Sequence, residues 1–260
     1  MKRNALTSIA ATIGALALAC AAQAAPLDNG GFSAGLSGWT TAGDVAVAQG
    51  TVFNELDIGS APRLLLGTAS SLYQDDRPAA IGHYNLSGQD AVAGGLDLEP
   101  SVNLAPGSLD DADTGSFVME GSSASQSFSV RAGDTLHFDW QLFTREGAGG
   151  INLGDTAWLV LTTASGTQLT RLGDTASLSL LDVGQGWSAS SLASQSITFS
   201  QAGSITLAWA IGDVNDHGNT SVLSIGNVSV TAVPEPASIT LLLAGLAVAG
   251  LATRRRTLQA

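Results

Sequence analysis

Apolar and polar residues alternate one by one through two stretches of the chain. In 135–143, Leu136, Phe138, Trp140 and Leu142 are separated by His137, Asp139 and Gln141; in 204–211, Ile205, Leu207, Trp209 and Ile211 repeat the device. A period of two sends successive side chains to opposite faces of an extended strand, so both stretches predict strands with one face buried and one wet. Further strands are predicted over 45–53, 124–130, 156–163, 196–200 and 221–230, separated by Gly-rich turns such as Ala132-Gly133-Asp134. Strands that each carry one apolar face bury it by packing two sheets together. The expected fold class is therefore all-β, a jelly-roll-like antiparallel β-sandwich. The acidic, Gly/Pro-punctuated stretch 67–115 fits least well and predicts an excursion along one edge, with a short helix near 100–104 whose first turn holds Pro100.

The two ends break the alternation with continuous apolar runs. Lys2 and Arg3 precede an apolar run over 5–19, followed by Ala22-Gln23-Ala24. That order is a secretory signal peptide, with cleavage between Ala24 and Ala25, and it implies the Sec translocon and signal peptidase as partners. The single cysteine, Cys20, falls in the removed segment. A mature chain without thiols excludes disulfides and thiolate metal sites. At the other end, two prolines in Pro234-Glu235-Pro236 stop the fold, an apolar run follows, and Arg254, Arg255 and Arg256 close it. About 16 residues of helix reach ~24 Å, near the lower limit for a bilayer span, and the arginines act as a membrane stop that stays cytoplasmic. The expected organisation is signal peptide 1–24, β-sandwich ectodomain 25–232, motif 233–236, C-terminal transmembrane helix 237–253 and basic cytoplasmic tail 254–260.

The order of Pro234, Glu235 and Pro236, a short hydrophobic span and terminal arginines resembles the PEP-CTERM sorting signal of Gram-negative bacteria. The resemblance implies retention in the inner membrane, ectodomain outward, until an exosortase, a membrane-embedded cysteine protease, cuts near the motif. The three residues would then be a substrate read by another enzyme, and the product would go to the cell surface or extracellular matrix. The opening Asp28-Asn29-Gly30-Gly31-Phe32, with Leu36-Ser37-Gly38-Trp39, is similar to that of carbohydrate-binding-module-like jelly rolls, with Ser33 where they usually have glutamate. Leu98-Glu99, 104–110, Phe138-Asp139-Trp140, Glu146, Asp155, Gly212-Asp213 and 221–223 together resemble the β-sandwich ectodomain common in PEP-CTERM proteins.

Charge narrows the partners. Without the terminal segments, five arginines stand against twenty-one carboxylates, a net charge of −16. Such a field repels nucleic acid and anionic membrane surfaces and draws divalent cations.

Catalytic chemistry is thinly supplied, and no enzymatic activity is expected. His83, His137 and His217 are isolated from one another, with no His-x-x-x-His or His-Glu-x-x-His pairing. The acids Asp75-Asp76 and Asp110-Asp111-Asp113 leave a polysaccharide hydrolase as one alternative. The loop 212–221 offers Asp213, Asp216 and Asn219 on a tight turn between strands, and Glu146 and Asp155 border a Gly-rich loop able to reach the same end. Calcium takes six to eight such oxygens, so these five are the metal candidates and Ca²⁺ the expected cofactor; no EF-hand spacing is present. For a second alternative, a carbohydrate-binding module for exopolysaccharide, a stacking aromatic is required. Trp187, in Gly184-Gln185-Gly186-Trp187, is the candidate chosen from Trp39, Tyr73, Tyr84, Trp158 and Trp187. The leading expectation is an exported, non-catalytic surface or matrix protein linked to exopolysaccharide and biofilm.

Overall fold

The structure is a computed structural model that describes residues 26–70, 84–111, 113, 115–146, 154–233 and 245–246. The expected signal peptide, the Pro-Glu-Pro motif and most of the expected span lie outside these residues. Gly245 and Leu246 of the span are helical, and no described helix is long and apolar enough to cross a membrane.

Among the described residues, fifteen strands follow in chain order. The first eight are β1 (Thr40–Ala42), β2 (Asp44–Ala48), β3 (Thr51–Val52), β4 (Leu56–Asp57), β5 (Arg63–Gly67), β6 (Val92–Ala93), β7 (Val118–Val130) and β8 (Thr135–Thr144). The rest are β9 (Thr156–Thr163), β10 (Gly166–Asp174), β11 (Leu181–Gly184), β12 (Trp187–Ala189), β13 (Ala193–Thr198), β14 (Gly203–Val214) and β15 (Ser221–Thr231). One sheet runs β1-β7-β14-β9-β10, with β6 also on β7. The other runs β11-β12-β8-β15-β5-β2, and β13 shares with β12 one edge of β8. Every described pairing is antiparallel, as the sequence predicts for a sandwich.

The two alternating stretches become β8 and β14, and their apolar sets meet between the sheets. Leu136, Phe138, Trp140 and Leu142 join Ile205, Leu207, Trp209 and Ile211 in one buried cluster. The Phe138 and Trp209 rings meet edge to face, centroids 5.3 Å apart. Trp39 covers the far side of Trp209 at 5.4 Å, which places the N-terminal turn over the core. Burying a large aromatic removes well over 100 Å² from water, so these rings dominate the core's stability.

Two outer layers were not expected. The described part of 67–115 does more than follow an edge. A π-helical turn, Gly94–Leu98, runs into one turn of α-helix, Glu99–Ser101, with Pro100 in that turn. This helix starts earlier than predicted, out of the π-helical turn, and ends earlier, before Asn103 at a left-handed φ of 62°. Leu98, Val102 and Leu109 then pack on Val118, Trp158, Val160, Ala208 and Ala210, so the supposedly wet face of β14 is covered. On the opposite sheet, the β3–β4 hairpin and Tyr84 cover Leu65, Phe143, Trp187 and Val222. The predicted strand over 45–53 is split into β2 and β3 by a turn with Gly50 at φ 74°.

Candidate functional site

Five inward-pointing stripes run out of apolar residues at one end of the sandwich. Along β14 the interior positions are Ile205, Leu207, Trp209 and Ile211, and the next is Asp213. Along β7 they are Val130, Phe128 and Ala124, and the same parity reaches Glu120. Register sets Glu120 directly opposite Asp213. Along β9 the stripe of Leu161, Leu159 and Ala157 leads to Asp155, one residue before the pair Thr156↔Gly212. Three neighbouring strands therefore end their core-facing stripes in a carboxylate. The facing sheet ends in hydroxyls: Ser221 of β15 donates to Thr144 of β8 at 2.8 Å, and Thr68 accepts from the Ser221 amide at 2.9 Å.

Loops add the remaining acids. Glu146, two residues beyond β8, receives the Thr175 hydroxyl and anchors its own amide on the Thr144 hydroxyl at 2.9 Å. Asp216 lies exposed in the β14–β15 loop, where its carboxylate accepts the Gly218 amide at 2.7 Å. The loop is pinned to the residue just before β7 by reciprocal bonds, Asn215 amide to Phe117 carbonyl and Phe117 amide to Asn215 Oδ1, both 2.8 Å. Among the described residues, His217 is the basic side chain that reaches the group, with Nδ1 3.4 Å from Glu120.

Asp155, Asp213 and Glu120 are essentially inaccessible. Both carboxylate oxygens of Asp213 lack a hydrogen-bond partner. Those of Asp155 face the Ser221 hydroxyl and the Val214 amide without forming a regular bond, and that hydroxyl is already committed to Thr144. Burial, and then the charges of Asp155, Asp216, Glu120 and Glu146, push the Asp213 carboxyl up to about 12. Burial first and Glu146 second hold Asp155 well above the usual carboxylate range. Burial also raises Glu146, against the opposing bond from Thr175. A set of acids in one low-dielectric space cannot all be ionised unless something positive joins them. Among the described residues, no three His, Cys, Asp or Glu side chains are drawn closely enough to enclose an ion as they stand.

Of the five predicted metal candidates, the structure gathers Asp213, Asp155 and Glu146, with Asp216 near enough to bear on their charge. Asn219 is half-buried at φ 78°, and the left-handed turn into β15 accounts for asparagine there. Glu120 was missed. The predicted strand starts at 124, whereas β7 starts at Val118, and stepping back by twos from Phe128 would have found it.

The structure folds the carbohydrate candidate into the protein. Trp187 is only 1% exposed, stacked on Phe53 at 5.8 Å, edge-on to Tyr84 at 5.5 Å, with the Arg145 guanidinium 5.5 Å from its ring. It heads β12 behind the tight Gly184-Gln185-Gly186 turn, so the glycines that signal an exposed loop instead fold the indole inward. Trp39, Tyr84 and Trp158 are buried too, and Tyr73 lies outside the described residues. Of the acids offered for hydrolysis, Asp110 caps the Val118 amide at 2.9 Å and Asp111 the Asp113 amide at 3.0 Å; Asp75 and Asp76 are not described. Asp110 and Asp111 do border a shallow cleft of about 180 Å³ with Thr156, Trp158, Leu169 and Arg171.

Residues 232–256 match the PEP-CTERM protein-sorting motif, the mark of export and membrane-anchored sorting. No curated protein matches the chain in sequence. Among solved structures, the carbohydrate-binding module TmCBM61, in complex with β-1,4-galactotriose, is similar over 80% of this chain and 99% of its own, at 13% identity and a TM-score of 0.40. CBM28, a module specific for non-crystalline cellulose, is similar over 80% of this chain and 96% of its own, at 10% identity and 0.36. The enzymatically active domain of the bacteriophage CBA120 tailspike protein 4 is similar over 80% of this chain and 21% of its own, at 10% identity and 0.35.

Proposed function

We propose that the chain is an exported β-sandwich, sorted by an exosortase-type protease and displayed as a non-catalytic surface or matrix protein in contact with exopolysaccharide. The observation that carries this reading is where fold and address meet. The last strand closes at Thr231 and the sorting motif begins at residue 232. The chain is tied down one residue before Pro234, since the Val233 amide donates to Asp134 at 3.1 Å. A protease reading Pro234, Glu235 and Pro236 would therefore meet its target immediately outside a closed fold. Mass spectrometry of the protein's termini, from cells with and without the sorting protease, tests it. The expected product starts at Ala25 and lacks 237–260 only when the protease is present, and Glu235→Ala preserves the longer form. A product retaining 237–260 in both strains would end the reading.

A second reading, direct polysaccharide binding, is favoured by the cleft whose rim combines Asp110, Asp111 and Arg171. Binding on a glycan array that is lost in Arg171→Ala would support it. Polysaccharide turnover lost in Asp110→Asn or Asp111→Asn would make the cleft a hydrolase site instead.

A further inference from the structure

We propose that the acidic end of the sandwich binds one calcium ion, held by the carboxylates of Asp213, Asp155 and Glu120, with Glu146 and Asp216 closing it from the loops. Two independent observations lead there. The strand register places Glu120 opposite Asp213, and Asp155 precedes the pair Thr156↔Gly212 on the other side of β14. The second observation is Asp213 itself, whose two carboxylate oxygens are sealed from water with no protein donor. A buried charged group left so is among the costliest arrangements in a fold, and a cation removes the cost.

The spacing suits a large, hard ion. Adjacent strands lie ~4.8 Å apart, and two oxygens on opposite sides of an ion, each at ~2.4 Å, span the same distance. Acid-only donors select against soft metals, and calcium's flexible shell of six to eight oxygens tolerates a ligand set drawn from three strands and two loops. Protonation of the acids is the competing way to neutralise the group.

The test uses the purified full-length chain, stripped of metal. Equilibrium dialysis against calcium chloride should find one tight ion per chain, and the unfolding midpoint should climb with calcium concentration. Terbium, a calcium substitute, should give luminescence sensitised by Trp158, whose ring packs against Gly212 beside Asp213, and calcium should quench it. Asp213→Asn and Asp155→Asn should each weaken binding tenfold or more. Asp182→Asn, which alters an exposed hairpin acid on β11, should leave it unchanged. If a core variant fails to fold, the wild-type stoichiometry and the terbium signal still decide. Failure of the folded wild-type chain to bind calcium would overturn the proposal in favour of protonated acids. Binding kept within twofold in both core variants would also overturn it, by placing the ion on surface acids.

Discussion

Glu120 and Asp213 face each other across the β7–β14 ladder at core-facing positions, two acids where every neighbouring pair along the stripe is apolar, small or neutral. Like charges directly opposite in a sheet destabilise it, more so in a dry interior. The sandwich is therefore built with a deliberate electrostatic debt at one end.

Asp213→Asn tests that debt in metal-free protein. The substitution keeps shape, removes a carboxyl that its neighbours oppose, and should raise stability at neutral pH by about 1–3 kcal/mol. Urea unfolding in the presence of a chelator measures it. A loss of stability there would mean that the carboxylate is satisfied by the protein alone.

Trp187→Ala should act on the fold. The indole fills the outer layer against Phe53, Tyr84 and the Arg145 guanidinium. Truncating it should cost ~3–5 kcal/mol. Chemical denaturation should show a reduced midpoint, and any lost glycan binding should track lost folding.

Glu99 is a buried clamp whose carboxylate accepts the Gly107 amide at 2.5 Å and the Leu109 amide at 2.6 Å. Glu99→Leu strands two amide donors and should cost ~1–3 kcal/mol for each that stays dry. Hydrogen exchange at Gly107 and Leu109 should accelerate well before the amides of β14 respond.

Asp139 supplies an acid-side dependence. Hydrogen bonds from Ser194 (2.5 Å) and Asn227 (2.6 Å) lead the causes that hold its carboxyl below its ordinary value near 3.8, with Arg63 assisting. A depressed folded value means stability that is present above about pH 3.8 and is lost as pH falls through the folded value. Asp139→Asn should flatten that limb of the stability curve slightly, because the group is largely solvated. Thermal scans between pH 2 and 5 would show it, and an unchanged limb would rule it out.

Local order along the chain yielded the sandwich and the interior faces of β8 and β14 from periodicity, and the sorting motif at 232–256 from the succession of Pro-Glu-Pro, apolar run and arginines. It also gathered Asp213, Asp155 and Glu146 as companions, since acids bordering turns at strand ends tend to share one end of a sandwich. Glu120 shares the parity of Phe128, so its inward direction was legible once the strand was extended; that it meets Asp213 was not, because pairing register is a property of two strands at once. The place of Trp187 was open for the same reason: whether a glycine-flanked indole is free or buried depends on Phe53, Tyr84 and Arg145, which arrive from distant parts of the chain. The outer layers were likewise invisible, since whether a polar-looking strand face stays wet depends on which loop folds over it. Local sequence sets which way each side chain points, but only the folded chain decides what waits there.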